Sequence, residues 1–355
     1  MQIKKLYLKN FRNYSEETVE FSDGLNVLYG ANAAGKTNML EAVYLTSIAK
    51  TPRTTKEKEL VLEGEKYAVV KVLVENNFRS HKVEIIIDDK GKKRILVDSL
   101  PINRAGELIG VVAVVFFSPD EMKLVKESPD YRRRFLDISL SQQQKEYFNA
   151  LVKYNKILKQ RNNLLKSDYD DMDAMLDVYD VQLSDVGLVI LDKRREFVNT
   201  LKTYALKTHK FLSDNGETLE VEYETELTKD NFLKLLKKNR EKDKKLSFTT
   251  VGPHRDDLKL IVNGKDARKF ASQGQQRSIA LSLKFAELEL YKIETGEKAV
   301  LLLDDVLSEL DVKRRTQLLE LSKEYQTILT CTEFDSYEKA VKFKIENGKI
   351  IKREY

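Results

Sequence analysis

Leu25-Asn-Val-Leu-Tyr29 runs directly into Gly30-Ala31-Asn32-Ala33-Ala34-Gly35-Lys36-Thr37, a GxxxxGK[ST] stretch, and the apolar positions Leu40, Val43, Tyr44 and Ile48 follow at helical spacing. Strand, glycine-rich turn and helix in that order form the context that a phosphate-binding loop requires. The glycines let backbone N–H groups curl around phosphates at a helix N-terminus. Lys36 is placed to reach the β and γ oxygens, and the Thr37 hydroxyl to bind Mg²⁺. ATP and Mg²⁺ are the expected ligands.

A second piece lies far along the chain. Residues 300–305, Val-Leu-Leu-Leu-Asp304-Asp305, read as an apolar strand ending in paired carboxylates. Asp304 is expected to hold Mg²⁺ through water and Asp305 to orient the attacking water. The continuation Val-Leu-Ser308-Glu309-Leu310-Asp311 matches the stretch that follows the Walker B acids in ABC ATPases and ends in the D-loop. Ala271-Ser272-Gln273-Gly274-Gln275-Gln276-Arg277 resembles the LSGGQQR signature. Ser272 also suits a helix N-cap, and the two roles are compatible.

The 355 residues are 41% hydrophobic, enough for two domains with ordinary cores. No run of 18 apolar residues occurs and the start has no signal-type apolar segment, so a cytoplasmic location without membrane contact is expected. Cys331, the one cysteine, sits in apolar TILTC and reads as a buried, inert thiol. With three scattered histidines, a dedicated metal site around His254 in GPHRDD is not expected.

The first 118 residues hold short strand-like runs at 3–11, 25–29, 67–74, 82–87 and 111–117. From 119 the period becomes helical: one stretch over about 135–165 and a seam from Met172 to Phe211, with a turn near 167–171. About 35 helical residues span roughly 50 Å. The β pattern returns at 258–262, with Asn263-Gly264 and Asn347-Gly348 as hairpin turns and 327–331 as a buried strand. The expected fold is α/β: an ABC-type P-loop ATPase head of mixed sheet and helices (1–118 plus 246–355), with an inserted, mostly helical arm (119–245).

The chain resembles the RecF family of bacterial recombination mediators related to the SMC ATPases. The resemblance runs end to end and is carried by LKNFRNY (8–14), the P-loop with Thr37-Asn38, FSPDEMKLVKESPDYRRRFLD (117–137), VGPHRDDL (251–258), SQGQQR and LLLDDVLSELD. It implies a weak ATPase used as a dimerisation switch, with Ser272, Gln273 and Gly274 acting in trans on ATP held by a second chain. It also implies duplex DNA beside single-strand gaps as ligand, and RecR, with RecO, as partners in loading recombinase during repair and replication restart.

Some positions depart from the general ABC pattern. Asp305 replaces the usual Glu and shortens its reach by a methylene, so slow hydrolysis is expected. Thr332 stands in the place of the switch histidine, and 116–120 lacks a Q-loop glutamine. Arg12 follows the first strand, where SMC-like heads place a basic residue near nucleotide; a surface arginine is the other reading. Net charge is only +5, so DNA contacts must be local. The candidates are Lys50, Arg53 and Lys56 beside the P-loop helix, and Lys234, Lys237, Lys238 and Arg240 within 229–245, where eight basic residues meet three acidic ones. Two alternatives stay open: a transporter ATPase subunit and a structural DNA clamp without useful turnover.

Overall fold

The structure, a computed structural model, describes residues 1–54, 56–167, 171–333 and 340–354. It forms two compact units, Met1–Glu121 with Leu281–Tyr355, and Met122–Ala280.

The first unit opens with β1 (Gln2–Phe11), β2 (Tyr14–Glu20), β3 (Leu25–Tyr29), α1 (Lys36–Ile48), β4 (Tyr67–Glu75), β5 (Ser80–Asp88), β6 (Lys93–Val97), β7 (Leu100–Ile102) and β8 (Val114–Phe117). Alternation through β5, and over Leu6–Leu8 of β1 and Val70–Val72 of β4, turns Leu6, Leu8, Val70, Val72, Ile85 and Ile87 into the core, and the resulting antiparallel sheet has the order β2-β1-β4-β5-β6-β7.

The second unit contains α2 (Lys123–Lys126), α3 (Pro129–Gln143), α4 (Lys145–Leu164), α5 (Met172–Leu212), β9 (Leu219–Glu224), α6 (Phe232–Lys238), α7 (Arg240–Leu246), β10 (Asp257–Val262), β11 (Lys265–Asp266) and α8 (Ala267–Phe270). Next in the chain, α9 (Gln273–Thr295) leads back to the first unit, which ends with β12 (Val300–Asp304), α10 (Val312–Ser322), β13 (Thr327–Cys331), β14 (Ala340–Glu346) and β15 (Lys349–Glu354). These strands complete a second sheet, β15-β14-β3-β13-β12-β8, in which β14, β3, β13, β12 and β8 run parallel and β15 is antiparallel. Its central strands β12 and β13 are buried along their whole length because both faces are covered, whereas β14, next to the edge, alternates Phe343 and Ile345 with lysines. Asn263 and Asn347 take φ of 49° and 48° ahead of their glycines, as two-residue hairpin turns demand.

Three expectations change. α1 touches strands of both large sheets and is buried from Met39 through Ser47, so it is a central helix and not one with a single apolar stripe. The helix expected over 135–165 is two helices that break at Gln144, whose extended backbone ends α3. The return to the first unit comes at 281, not at 246, because β10 pairs along its length with β9, and because Asp257 takes two bonds from Arg132 of α3, at 2.6 and 2.8 Å. Residues 168–170 of the expected turn lie outside the described residues.

α5 has 41 residues, about 60 Å at 1.5 Å per residue. It packs on α4, and its Gly187 is required there: a Cβ would lie 2.5 Å from Phe232 and 3.2 Å from Tyr154. The core of this unit is unusually polar. Arg161 of α4 donates to Asp180 of α5 at 2.8 Å, to Asp243 of α7 at 2.8 Å and to Thr249 at 2.9 Å. Arg194 of α5 donates to Asp137 at 2.7 Å, to the Pro253 carbonyl at 2.7 Å and to the Tyr147 hydroxyl at 3.0 Å.

His254 belongs to this interior and not to a metal site. Its Nε2 lies 3.0 Å from the Thr249 carbonyl and its Nδ1 2.8 Å from the Tyr154 hydroxyl, a set that suits the neutral ring. Burial, aided by Arg255, Arg133 and Arg194 and opposed by the Thr249 carbonyl, pushes its pKa down to about 4. A histidine neutral in the fold and basic when unfolded adds stability above about pH 6.5 that is lost as pH falls toward about 4. Acidification from pH 7 to 4.5 is therefore expected to cost about 2–3 kcal/mol more in the native chain than in a His254→Gln chain, measured by urea unfolding at both pH values.

Candidate nucleotide site

The loop after β3 is held from three directions. Gly30 has φ of +145°, and a Cβ there would stand 2.3 Å from the Ile345 carbonyl of β14, so only glycine lets the loop leave the sheet at this point. Asn13 Nδ2 and Gly348 N donate to the Ala34 carbonyl at 3.1 and 2.9 Å, and the Tyr14 hydroxyl donates to the Gly35 carbonyl at 3.0 Å. Asn38 Nδ2 donates back to Asn13 Oδ1 at 2.8 Å. The LKNFRNY stretch and the β14–β15 turn thus clamp the P-loop, a role that its own sequence does not announce. Ala31, Asn32 and Ala33 stay exposed. Lys36 Nζ reaches back across the loop to the carbonyls of Gly30 at 2.7 Å and Ala31 at 2.8 Å, and burial pulls its pKa down.

β13 lies between the P-loop strand β3 and β12, and its register places Thr330 opposite Asp304. Asp304 Oδ1 accepts from Thr37 Oγ1 at 2.7 Å and from Thr330 Oγ1 at 2.8 Å. Burial raises the Asp304 pKa while the two hydroxyls oppose that shift. Asp305 N donates to the same Thr330 hydroxyl at 2.9 Å, which fixes Asp305 with φ of 50°. Asp305 Oδ1 is buried and accepts no hydrogen bond among the described residues. A hydroxyl, a paired carboxylate and an unsatisfied carboxylate oxygen are the hard donors that Mg²⁺ takes, so these residues fit that ion. Thr330 was not singled out from the sequence; the signal was a polar residue at matching height in two neighbouring apolar strands. Thr330→Val keeps the shape and removes the bridge; it is expected to lower Mg²⁺-dependent ATP turnover about tenfold and, by leaving the Asp305 amide unpaired, to cost about 1–2 kcal/mol of stability, read by phosphate release and a thermal melt.

Arg12 is neither a loose surface residue nor aimed outward: Nε and Nη2 grip the buried Glu41 carboxylate of α1 at 2.9 Å each, and Nη1 donates to the Glu59 carbonyl at 3.0 Å. Arg53 joins the same cluster. It donates to Asn38 Oδ1 at 2.8 Å, lies 3.7 Å from Glu41 Oε2, and its charge, with the two hydroxyls, opposes the rise that burial imposes on the Asp304 pKa. Arg53, one of the expected DNA contacts, is exposed beside the P-loop helix, as are Lys50 and Lys56. The other basic cluster is partly neutralised. Arg240 is bound to Asp177 and Asp180 at 2.7 Å each, and Lys237 to Asp177 at 2.9 Å, which together drive the Asp177 pKa down to about 2. Lys234 and Lys238 remain exposed.

Ser272 and Gln273 are exposed at the start of α9, with Gly274 half-buried behind them. Ser272 N donates to Gln275 Oε1 at 2.9 Å and Gln275 N to Ser272 Oγ at 3.3 Å, the reciprocal cap that Ser-x-x-Gln permits. Asp311 caps α10, accepting from Arg314 N at 2.9 Å. Phe116 and Phe117 are buried in β8, Thr332 is exposed, and burial pushes the Cys331 thiol up to about 12. Among the described residues no three His, Cys, Asp or Glu side chains gather as a metal cluster, and no helix is long and apolar enough to cross a membrane.

Residues 2–348 match the family described as RecF/RecN/SMC N terminal domain. The chain is similar to the DNA replication and repair protein RecF of Lachnoclostridium phytofermentans, 43% identical over 354 residues, covering 99% of this chain and 98% of that one. It is also 43% identical over 362 residues to the protein of the same name from Clostridium beijerinckii, with 99% and 98% covered. Among solved structures, that of the recombination mediator protein RecF-ATP in the RecFOR pathway superposes with a TM-score of 0.92 at 37% identity, over 99% of this chain and 97% of that one. An SMC head bound to the C-terminal winged-helix domain of ScpA shares the fold, with a TM-score of 0.60 at 17% identity over 98% and 96% of the two chains. A P-loop clamped by the first strand's own continuation, in a chain alike from end to end to these relatives, belongs to the RecF family of SMC-like ABC ATPases.

Proposed function

We propose that the chain is an ATP-dependent DNA-binding protein of recombinational repair and replication restart, in which ATP joins two copies and slow hydrolysis parts them. The observation that carries this reading is the pairing of Thr37 with Asp304 at 2.7 Å beside Lys36, a built nucleotide half-site, in a chain whose signature residues Ser272 and Gln273 are exposed. One P-loop and one signature per chain call for a second chain to complete the site. Gly30 to Thr37 cradle the triphosphate, Lys36 neutralises its β and γ oxygens, and Thr37 and Asp304 hold Mg²⁺, which supplies charge neutralisation at the transferring phosphoryl group. Asp305 orients the attacking water. Ser272, Gln273 and Gly274 of a partner close over the γ-phosphate, and the nucleotide acts as a switch more than as a fuel.

Duplex DNA next to single-strand gaps is bound without sequence preference by lysines to phosphates. With Arg240 held by Asp177 and Asp180, the contacts fall to the exposed Lys50, Lys56, Lys234, Lys237 and Lys238, to Arg53 beside the P-loop helix, and to the exposed Lys153, Lys156 and Lys159 along α4. The relatives' pathway points to RecR, with RecO, as partners. Light scattering of the chain with ATP, with ADP and with ATP plus gapped DNA tests the reading: a dimer is expected with ATP, favoured by DNA and absent with ADP. A monomer in all three conditions overturns it.

A further inference from the structure

The turn that follows α5 carries a carboxylate directed at the signature. Glu217 Oε1 accepts from Gln275 Nε2 at 2.9 Å, and Glu217 Oε2 faces His209 Nε2, on the last turn of α5, at 3.2 Å. His209 is fully buried and Glu217 half-buried. The turn is itself pinned: Thr218 N donates to Asn263 Oδ1 at 2.9 Å and Asn263 N to the Thr218 carbonyl at 3.0 Å, tying it to the β10–β11 hairpin.

Gln275 commits the other end of its side chain to Ser272, whose backbone N–H it accepts at 2.9 Å. A side-chain amide held at both ends has one orientation; released from Glu217, it is free to rotate, and the Ser272 cap weakens with it. The Ser272 hydroxyl accepts the cap bond from Gln275 N with a lone pair, so its proton stays available for an acceptor outside the chain. One side chain therefore connects the end of the 41-residue helix to the exposed serine of the signature.

We propose that Glu217 is a positioning residue that couples α5 to the signature, holding Gln275 so that Ser272 and the start of α9 meet the nucleotide of a second chain in the orientation that dimerisation requires. The inference rests on the trans reading above. A load on the arm that shifts the end of α5 then reaches Ser272 through His209, Glu217 and Gln275, a physical route for DNA to alter the affinity of the dimer.

Full-length Glu217→Ala, Glu217→Gln and Ser272→Ala chains decide it. Glu217→Ala is expected to bind ATP as a monomer with native affinity, to dimerise with ATP about tenfold more weakly, and to lose about tenfold in kcat with KM unchanged. Amide exchange over 273–277 is expected to quicken in the nucleotide-free chain. Glu217→Gln keeps a carbonyl acceptor for Gln275 Nε2 and is expected to restore most of each loss. Native dimerisation of Glu217→Ala beside a defective Ser272→Ala overturns the coupling, as does unchanged amide exchange or a Glu217→Gln chain no better than the alanine. Native dimerisation of Ser272→Ala overturns the trans reading instead, and the inference falls with it.

Discussion

Lys36→Ala is expected to slow ATP turnover by at least about a hundredfold, equivalent to about 3 kcal/mol of transition-state stabilisation, without lowering the melting temperature. The two halves of that expectation have one cause. Lys36 is buried, and burial lowers its pKa, so the fold holds an ammonium where water solvates it poorly. Its three protons are partly satisfied by the Gly30 and Ala31 carbonyls, at 2.7 and 2.8 Å. Removing the charge relieves the folded chain of that cost and removes the cation proposed to meet the transferring phosphoryl group. Lys36→Arg keeps the charge but replaces a compact ammonium with a planar fork, so nucleotide is expected to bind while ATP-dependent dimerisation fails. Steady-state phosphate release, thermal melts and light scattering check these outcomes. Turnover of Lys36→Ala within threefold of native, or normal ATP-dependent dimerisation of Lys36→Arg, contradicts the assigned role.

The half of the site that is contiguous in sequence was legible there. Gly30 to Thr37, the Asp304-Asp305 pair and the Ser272–Gln275 cap each announce themselves within eight residues, because phosphate cradling, strand-end carboxylates and helix capping are local chemistry. What holds that chemistry in place was not legible, since each partner comes from elsewhere in the chain. Asn13, Tyr14, Thr330 and Gly348 reach the P-loop or the acids only through the register of β1, β13 and the β14–β15 turn. Charge counted along the chain differs from charge in space for the same reason. The Lys229 to Lys245 run is strongly basic when counted along the chain, but Asp177 and Asp180, some 60 positions upstream, neutralise Arg240 and Lys237 in space. Arg12 and Arg53 are likewise drawn to Glu41, a carboxylate that reads in sequence as one more residue of an amphipathic helix. The helical period located α5 but not the break at Gln144, where an uncapped, extended residue interrupts a pattern that stays helical on both sides.

Arg161→Ala is expected to destabilise the Met122–Ala280 unit by about 3–5 kcal/mol, a loss far larger than its distance from the nucleotide site suggests. Arg161, Asp180 and Asp243 have side chains with no exposed surface, and the guanidinium lies 2.8 Å from each carboxylate. Deleting it leaves two carboxylates in the interior with their desolvation uncompensated, which is the costly way to break such a triad. Other partners limit the damage: Asp180 keeps Arg240, and Asp243 keeps the Thr250 amide at 2.9 Å and its hydroxyl at 2.7 Å. The loss is therefore expected toward the lower end of the range, and Arg161→Ala with Asp180→Ala is expected to cost less than the two single changes added together, with a coupling of about 1–3 kcal/mol. Urea titration followed by amide exchange in α4 and α5 reads both quantities; a single-variant loss below about 1 kcal/mol contradicts the burial argument.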